Sequence, residues 1–316
     1  MIPNELMGKK VNVSKAVNLN IVIITGSSLR HDRFSYRIQQ EFKDNHIVWY
    51  QINDNYAKEE EKLKVKLKKI ITKLKLEFHK LSLIEKNKII FSLKLLNWLF
   101  RFLRNYYYGI KVSKEINKSE NKILKKELIN LKSEIKLTPK IISSKYIYEP
   151  NFQKEIDKLN PYFLLVLGGP LIPNKILNSV KGFCINQHAG HSPDYKGSST
   201  SDWALFHRDL SKISSTVHLM NSGADTGPIL RRSKPSLNVN DNISDVFIRV
   251  VVLGTELLIE TVRDIINLDY LFIFHQNQSA GKTFLSSDLT PKKRALIKKD
   301  FKNNWFINEL KSKQIF

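Results

Sequence analysis

Three side chains in the second half of the chain, Asn186, His188 and Asp225, have the types and spacing to move an acyl group onto an amine. Such a transfer needs preorganised donors for the oxygen that gains negative charge. It also needs a group to take the proton shed by the amine, and a site that keeps water out. The amide of Asn186 can offer an N–H to that oxygen. The imidazole of His188 can donate to the same oxygen or shuttle the proton. The carboxylate of Asp225 can hold the imidazole in its useful tautomer or accept the proton through a bound water. Taken singly, a strand histidine is usually structural and an aspartate before Thr-Gly is usually a turn former. It is the combination that points to chemistry.

These residues converge only if the right elements carry them. Gly182–Asn186 reads as a short apolar strand, and residues i and i+2 of a strand share a face, so Asn186 and His188 address one site. Ser215–Met220 reads as a further strand and Ala224–Pro228 as the turn that brings Asp225 back to the mouth of the same sheet. Upstream, the β-branched run Asn20–Thr25 is followed by Gly26-Ser-Ser, a helical stretch over Arg30–Phe42 and a strand over His46–Ile52. Helical signals over Phe152–Leu159 and Ile172–Val180 flank a buried strand, Tyr162–Leu167, that ends in Gly168-Gly169-Pro170. A long helix over residues 241–266, capped by Asn242 or Ser244, precedes a short strand over Leu271–His275. The fold class expected is α/β, a doubly wound, mostly parallel sheet. Its two parts are residues 20–55 and 141–268, with an N-terminal tail over 1–19 and a small C-terminal extension over 269–316.

Residues 56–140 break the rhythm. They carry 23 lysine and arginine against 9 acidic residues, a surplus of 14 within the whole chain's +22. Whole-chain basicity is therefore a poor argument for a nucleic-acid substrate. The segment is rich in Lys, Glu, Leu and Ile and reads as helical hairpins or a short coiled coil, a basic insertion dispensable for chemistry. Within it, Ile89–Tyr108 shows a wide apolar helix face with a narrow polar stripe that includes Arg101 and Arg104. Packing on neighbours, a homodimer contact, or peripheral attachment to an anionic membrane or polymer are the readings. A single cysteine, Cys184, excludes an internal disulfide and, set beside Phe183 and Ile185, reads as a core residue of a protein from a reducing compartment. With no signal-like start and no long apolar run, a cytoplasmic location is expected. His188-x-x-His191 has no cysteine or acidic cluster to complete a zinc site, so no metal is expected.

Five pieces, Asn186-x-His188, Ser192-Pro-x-Tyr-x-Gly197, Trp203-Ala, Thr216-Val-His218 and Asp225-Thr-Gly-Pro-Ile229, fall in an order that resembles the folate-dependent formyltransferase family. The resemblance is strong over residues 160–235, weak over 20–55 and absent over 56–140. It implies 10-formyltetrahydrofolate as formyl donor, a primary amine as acceptor, and Asn186, His188 and Asp225 as the catalytic set. Leu167, Gly168, Gly169 and Ile172, with Gly223 and Ala224, would line the donor pocket. Arg30 and His31 in the first strand–helix loop would meet a phosphate, and Lys196 an anionic substrate. Where the family often has Ser-Leu-Leu-Pro, this chain has Gly190-His-Ser-Pro193, closer to members acting on amino sugars. A nucleotide-linked amino sugar is thus the first acceptor expected. The initiator tRNA is the alternative, with glycinamide ribonucleotide third. The tRNA-formylating relatives append a β-barrel, and the 84 residues after Arg232 read poorly as one. A non-catalytic scaffold on the same fold is the reading from a different class.

Overall fold

The computed structural model describes residues 7–9, 19–54, 72, 88–268, 271–277 and 279–313. Most of the expected N-terminal tail, and residues 55–87 apart from Thr72, lie outside the described residues. The chain divides into two compact units, residues 1–52 with 115–316, and residues 53–114.

In the larger unit, the elements follow the order Met7–Lys9 (β1), Asn20–Thr25 (β2), Leu29–Glu41 (α1) and His46–Ile52 (β3). A helix spanning Lys88–Glu134 (α2) enters this unit at residue 115, and Lys140–Ile142 (β4) follows it. Pro150–Leu159 (α3), Phe163–Leu167 (β5), Asn174–Leu177 (α4) and Phe183–His188 (β6) come next. Tyr195–Gly197 (β7), Thr200–Phe206 (α5), Ser215–Leu219 (β8) and Ile229–Ser233 (β9) complete the part that carries the site motifs. Ile243–Asn267 (α6), Leu271–Ile273 (β10), Lys282–Phe284 (β11), Pro291–Lys302 (α7) and Trp305–Lys313 (α8) close the described chain.

Seven strands form one sheet in the order β4-β3-β2-β5-β6-β8-β9, parallel from β4 to β6 and antiparallel from β6 to β9. The doubly wound, mostly parallel α/β architecture expected from the sequence is therefore present. Alternation explains why the middle of β2, residues 21–24, is apolar throughout. Ile21 and Ile23 enter one core with Phe34, Ile38, Phe163, Leu165 and Val262, while Val22 and Ile24 enter the other with Tyr50, Phe152, Ile156 and Leu164. Both faces of this four-residue stretch are buried, which favours apolar side chains throughout it. The α6 N-terminus is closed by a capping box in which Asn242 accepts from the Ser244 and Asp245 N–H groups, so Asn242 is the cap.

The segment expected to be a dispensable insertion up to residue 140 is corrected at its C-terminal end. From Glu115, α2 belongs to the α/β body: Leu124, Leu128 and Leu131 are buried, the first two beside Ile248. Glu120 and Glu127 pair with Arg30 and Arg33 of α1, and Lys122 with Asp245 of α6. The hairpin or coiled-coil reading is replaced over residues 88–134 by one continuous helix.

A third core joins the C-terminal extension to the body. Tyr195, Trp203 and Leu205 pack with Phe284, Ile297, Phe306 and Leu310, and β11 pairs in parallel with β7. The strand Ile229–Ser233, which the sequence does not announce, forms the sheet edge. Cys184 is half-buried, and burial pushes its thiol up to about 12.

Candidate active site

The parallel strands β5 and β6 end at a cavity of about 500 Å³. In open α/β sheets ligands collect at such carboxyl ends, next to the point where strand order reverses, here between β2 and β5. Asn186 and His188 lie two apart on β6 and both line the cavity. Gln187 between them faces the other way, its amide donating to the Val251 carbonyl of α6 at 2.7 Å. The antiparallel pairing of β6 with β8 sets His218 opposite Asn186. Asp225 arrives on the turn before β9 with φ 54°, a left-handed backbone that aspartate tolerates better than most residues.

The Asp225 carboxylate is the hub. Its Oδ1 accepts from the Asn186 amide at 3.3 Å and lies 3.3 Å from His218 Nε2. Its Oδ2 accepts from the Gly197 N–H at 2.8 Å and lies 3.3 Å from His188 Nδ1. Each histidine is braced from its other nitrogen. His188 Nε2 donates to the Tyr195 carbonyl at 2.8 Å, and His218 Nδ1 to the Leu219 carbonyl at 2.8 Å, because a carbonyl can only accept. The Asn186 Nδ2 also lies 3.0 Å from His218 Nε2. The space behind His188 is closed, since a Cβ at Gly190 would collide with its ring and with Thr200.

Burial works to raise the Asp225 carboxyl. His188, His218 and the Gly197 N–H outweigh it and hold the group well below the usual carboxylate range. A folded-state value below the unfolded one contributes stability that is complete above the unfolded value, about 4. That stability is lost as pH falls from there towards the lower folded value. Asp225→Asn should therefore flatten the acid side of the stability profile, measured by urea unfolding from about pH 5 down to about pH 2. Equal slopes for the two chains would show that Asp225 is not held in this way.

Of the residues expected around the trio, Leu167, Gly168, Gly169, Ile172, Gly223 and Ala224 all line the cavity. Gly168 and Gly169 have φ 71° and 96°, and a Cβ at Gly169 would stand 2.9 Å from the Ile52 side chain. Glycine at this strand end keeps the cavity floor low and open. Arg30 and His31 also line it, in a setting unlike that of a phosphate loop. The Arg30 guanidinium donates to Glu120 at 2.5 Å and lies 5.4 Å from the centre of the Phe247 ring. His31 is buried, bonded to the Ser28 hydroxyl, and held well below its ordinary range by burial and then by Arg30. The charge foreseen for that loop is thus matched by a carboxylate on Arg30 and kept off His31. Lys196 is the clearest correction: it is buried, its ammonium reaches the Ala280 carbonyl at 3.4 Å, and it does not line the cavity. The extension folded over β7 takes the charge that the sequence offered to substrate.

Three participants lie outside the catalytic set expected from the sequence, two of them, His218 and Gly197, within its matched motifs. His218 reads as a structural strand histidine until register places it against Asn186 and Asp225. The Gly197 contact is a backbone donor, invisible in side-chain chemistry. Gln276, in the C-terminal extension, donates to the carbonyls of Asp225 and Gly227 at 3.0 and 2.6 Å.

Residues 111–262 match the family model described as formyl transferase. Over 116 residues the chain is 39% identical to a methionyl-tRNA formyltransferase of Thermodesulfovibrio yellowstonii, covering 36% of this chain and 37% of that protein. Over 145 residues it is 28% identical to one from Clostridium novyi, covering 46% of each. These matches span less than half the length of the curated relatives. Among solved structures, a sugar N-formyltransferase from a Shewanella species superposes with TM-score 0.48 at 16% identity, over 85% of this chain and 78% of that one. An N-formyltransferase from Helicobacter canadensis, solved with folinic acid and dTDP-3-aminofucose, gives TM-score 0.46 at 17% identity, over 84% and 71%. The stretch similar to formyl transferases holds Asn186, His188, His218 and Asp225 together, so the likeness covers the residues gathered at the cavity.

Proposed function

We propose that this protein transfers the formyl group of 10-formyltetrahydrofolate to a primary amine. The observation that carries the reading is the Asp225 carboxylate gathering Asn186, His188 and His218 at the end of the sheet. In the reaction the amine nitrogen bonds to the formyl carbon and the bond from that carbon to N10 of the donor breaks. The amine sheds a proton and N10 gains one. Asn186 supplies an N–H to the carbonyl oxygen as its charge grows. Its amide is engaged with Asp225 and His218 in this structure, so it exchanges one of those contacts for the oxygen. His188, fixed at Tyr195 and paired with Asp225, steadies the same charge and relays the proton.

The walls fit the donor's ring. Val166, Leu167, Ile172 and Met220 are apolar, and the Gly168-Gly169 backbone leaves room for a flat heterocycle to reach main-chain groups. The residues here suit an organic donor. Among the described residues, no group of three or more His, Cys, Asp or Glu is placed to hold a metal ion.

For the acceptor, a nucleotide-linked amino sugar comes first, supported by the Gly190-His-Ser-Pro193 loop and by the described residues after Asn267. These form a three-residue strand, β10, paired with β1, and a second strand and two helices, β11, α7 and α8, packed on α5 and β7. The second reading, an aminoacylated tRNA, is favoured by the methionyl-tRNA formyltransferases among the sequence relatives. An amine panel incubated with 10-formyltetrahydrofolate, followed by tetrahydrofolate release, separates the two. Turnover with dTDP- or UDP-linked amino sugars and not with methionyl-tRNA supports the first, and the reverse supports the second. Donor binding with no turnover on any amine would favour a scaffold.

The unit over residues 53–114 provides a further partner. No helix among the described residues is long and apolar enough to cross a membrane. On α2, however, Leu99, Phe100, Leu103, Tyr107 and Ile110 are exposed, next to exposed Arg101 and Arg104. An apolar stripe edged with arginine suits an anionic bilayer, where each basic residue adds about 1 kcal/mol. Binding to phosphatidylserine vesicles should therefore fall steeply with salt and be lost in the double variant Phe100→Asp with Arg104→Ser. Salt-insensitive pelleting, or none, would remove the membrane from the reading.

A further inference from the structure

We propose that Gln276 is a positioning residue, through which the C-terminal extension holds the Asp225 carboxylate in working geometry. The proposal rests on the reading of Asp225 as the catalytic carboxylate.

Asp225 sits on a short turn with left-handed backbone, a conformation that costs a non-glycine residue energy and needs outside support. The support comes from the extension. Phe274 and Ile229 exchange backbone hydrogen bonds at 2.8 and 2.9 Å, which anchors the extension to the residue just beyond the turn. Two residues further on, the Gln276 amide has two protons and two acceptors within reach. It donates to the Asp225 carbonyl at 3.0 Å and to the Gly227 carbonyl at 2.6 Å, spanning the turn from one side. The other side of Asp225 is fixed by the same segment. Lys282–Phe284 pairs in parallel with Tyr195–Gly197, with Phe284 opposite Gly197, and the Gly197 N–H donates to Asp225 Oδ2 at 2.8 Å. The extension therefore grips the catalytic residue twice, at its backbone through Gln276 and at its carboxylate through β11, β7 and Gly197.

The second grip constrains the direction of the carboxylate and the first constrains its position. Without Gln276 the turn is free to shift, and the distances of 3.3 Å from Asp225 to His188 and His218 are the first to lengthen. Titratable groups facing the carboxylate are these two imidazoles, from β6 and β8. The Asn186 amide and the Gly197 N–H are its neutral donors. A turn displaced by an ångström weakens the imidazole contacts and leaves the cavity walls formed by β5 in place.

Two full-length variants test this. Gln276→Leu keeps much of the volume and removes both donors, while Gln276→Glu keeps length and shape but points carboxylate oxygens at two carbonyls. The readout is the titration of the Asp225 carboxyl, followed by its carbon-13 resonance without substrate. It is combined with kcat and donor KM on the best acceptor. Expected are an upward shift of the Asp225 midpoint in both variants, a fall in kcat of about tenfold or more, and a donor KM changed by less than about twofold. The acid limb of the kcat profile should move up with the midpoint. An unshifted midpoint with unchanged kcat in either folded variant overturns the proposal. Loss of folding in both overturns it as well, by making Gln276 a residue of the fold rather than of the site. The titration needs no turnover. A shifted midpoint in a protein that moves no formyl group would keep the positioning role and sink the activity.

Discussion

Asp225→Asn should lower turnover by about 1,000-fold while leaving the fold in place. The asparagine side chain is the same size and its carbonyl oxygen can still accept from the Gly197 N–H, so the turn has little reason to move. What disappears is the charge. A neutral amide cannot stabilise a protonated imidazole at His188 or His218, and cannot take a proton. One of its faces becomes an NH2 group directed at a donor, replacing attraction by conflict. His188→Ala should cost about 100- to 1,000-fold, because it removes the imidazole that relays the proton and leaves Asp225 with its other contacts. Non-additivity is the sharper sign. The double variant should be little worse than Asp225→Asn alone, as expected for residues that act as a unit. Single-turnover kinetics with saturating donor measure this directly. Near-native rates in both single variants would mean that the hub is structural.

Leu128→Ala should destabilise the protein by about 2–4 kcal/mol, a large loss for a residue within the lysine-rich stretch of the sequence. Leu128 is 3% exposed and packs with Leu124 and Ile248, so truncation leaves a cavity between α2 and α6. The same contact sets the limit of any deletion. Joining Asp54 to Glu115 by a Gly/Ser linker should leave a folded, active body. Removing residues 57–139 should prevent folding, because it takes away Leu124, Leu128 and Leu131 and unpairs Arg30 and Arg33. Thermal unfolding of the two deletions decides the point. A folded longer deletion would show that the second half of α2 is dispensable after all.

Local patterning carried much of the fold. Apolar runs within β2, β3 and β5 belong to strands buried on both faces, and the i, i+2 spacing of Asn186 and His188 put them on one side of β6 without knowledge of the sheet. The missing parts all depend on long-range pairing. His218 becomes a site residue only through the antiparallel register that sets it opposite Asn186. Arg30 looked free to meet a phosphate because its carboxylate partner, Glu120, is 90 residues away in sequence. Lys196 is drawn inward by an extension that begins more than 70 residues later. In α2, the surplus of lysine obscured a stripe at i, i+4 and i+7, namely Leu124, Leu128 and Leu131. Strand β9, with Arg231 and Arg232 in its five residues, lacks the apolar alternation that marks a half-buried strand, since it lies at the sheet edge.

The most direct test of the central claim follows the transferred carbon itself. The protein is incubated with 10-formyltetrahydrofolate labelled with carbon-13 in the formyl group and with the best amine of the panel, and the label is followed by NMR. The label is expected to move from the donor to a formamide carbon on the acceptor, at a rate that falls at least about 100-fold in the Asn186→Ala and Asp225→Asn proteins. Label that stays on the donor, that emerges as free formate, or that moves equally fast in those variants would contradict it.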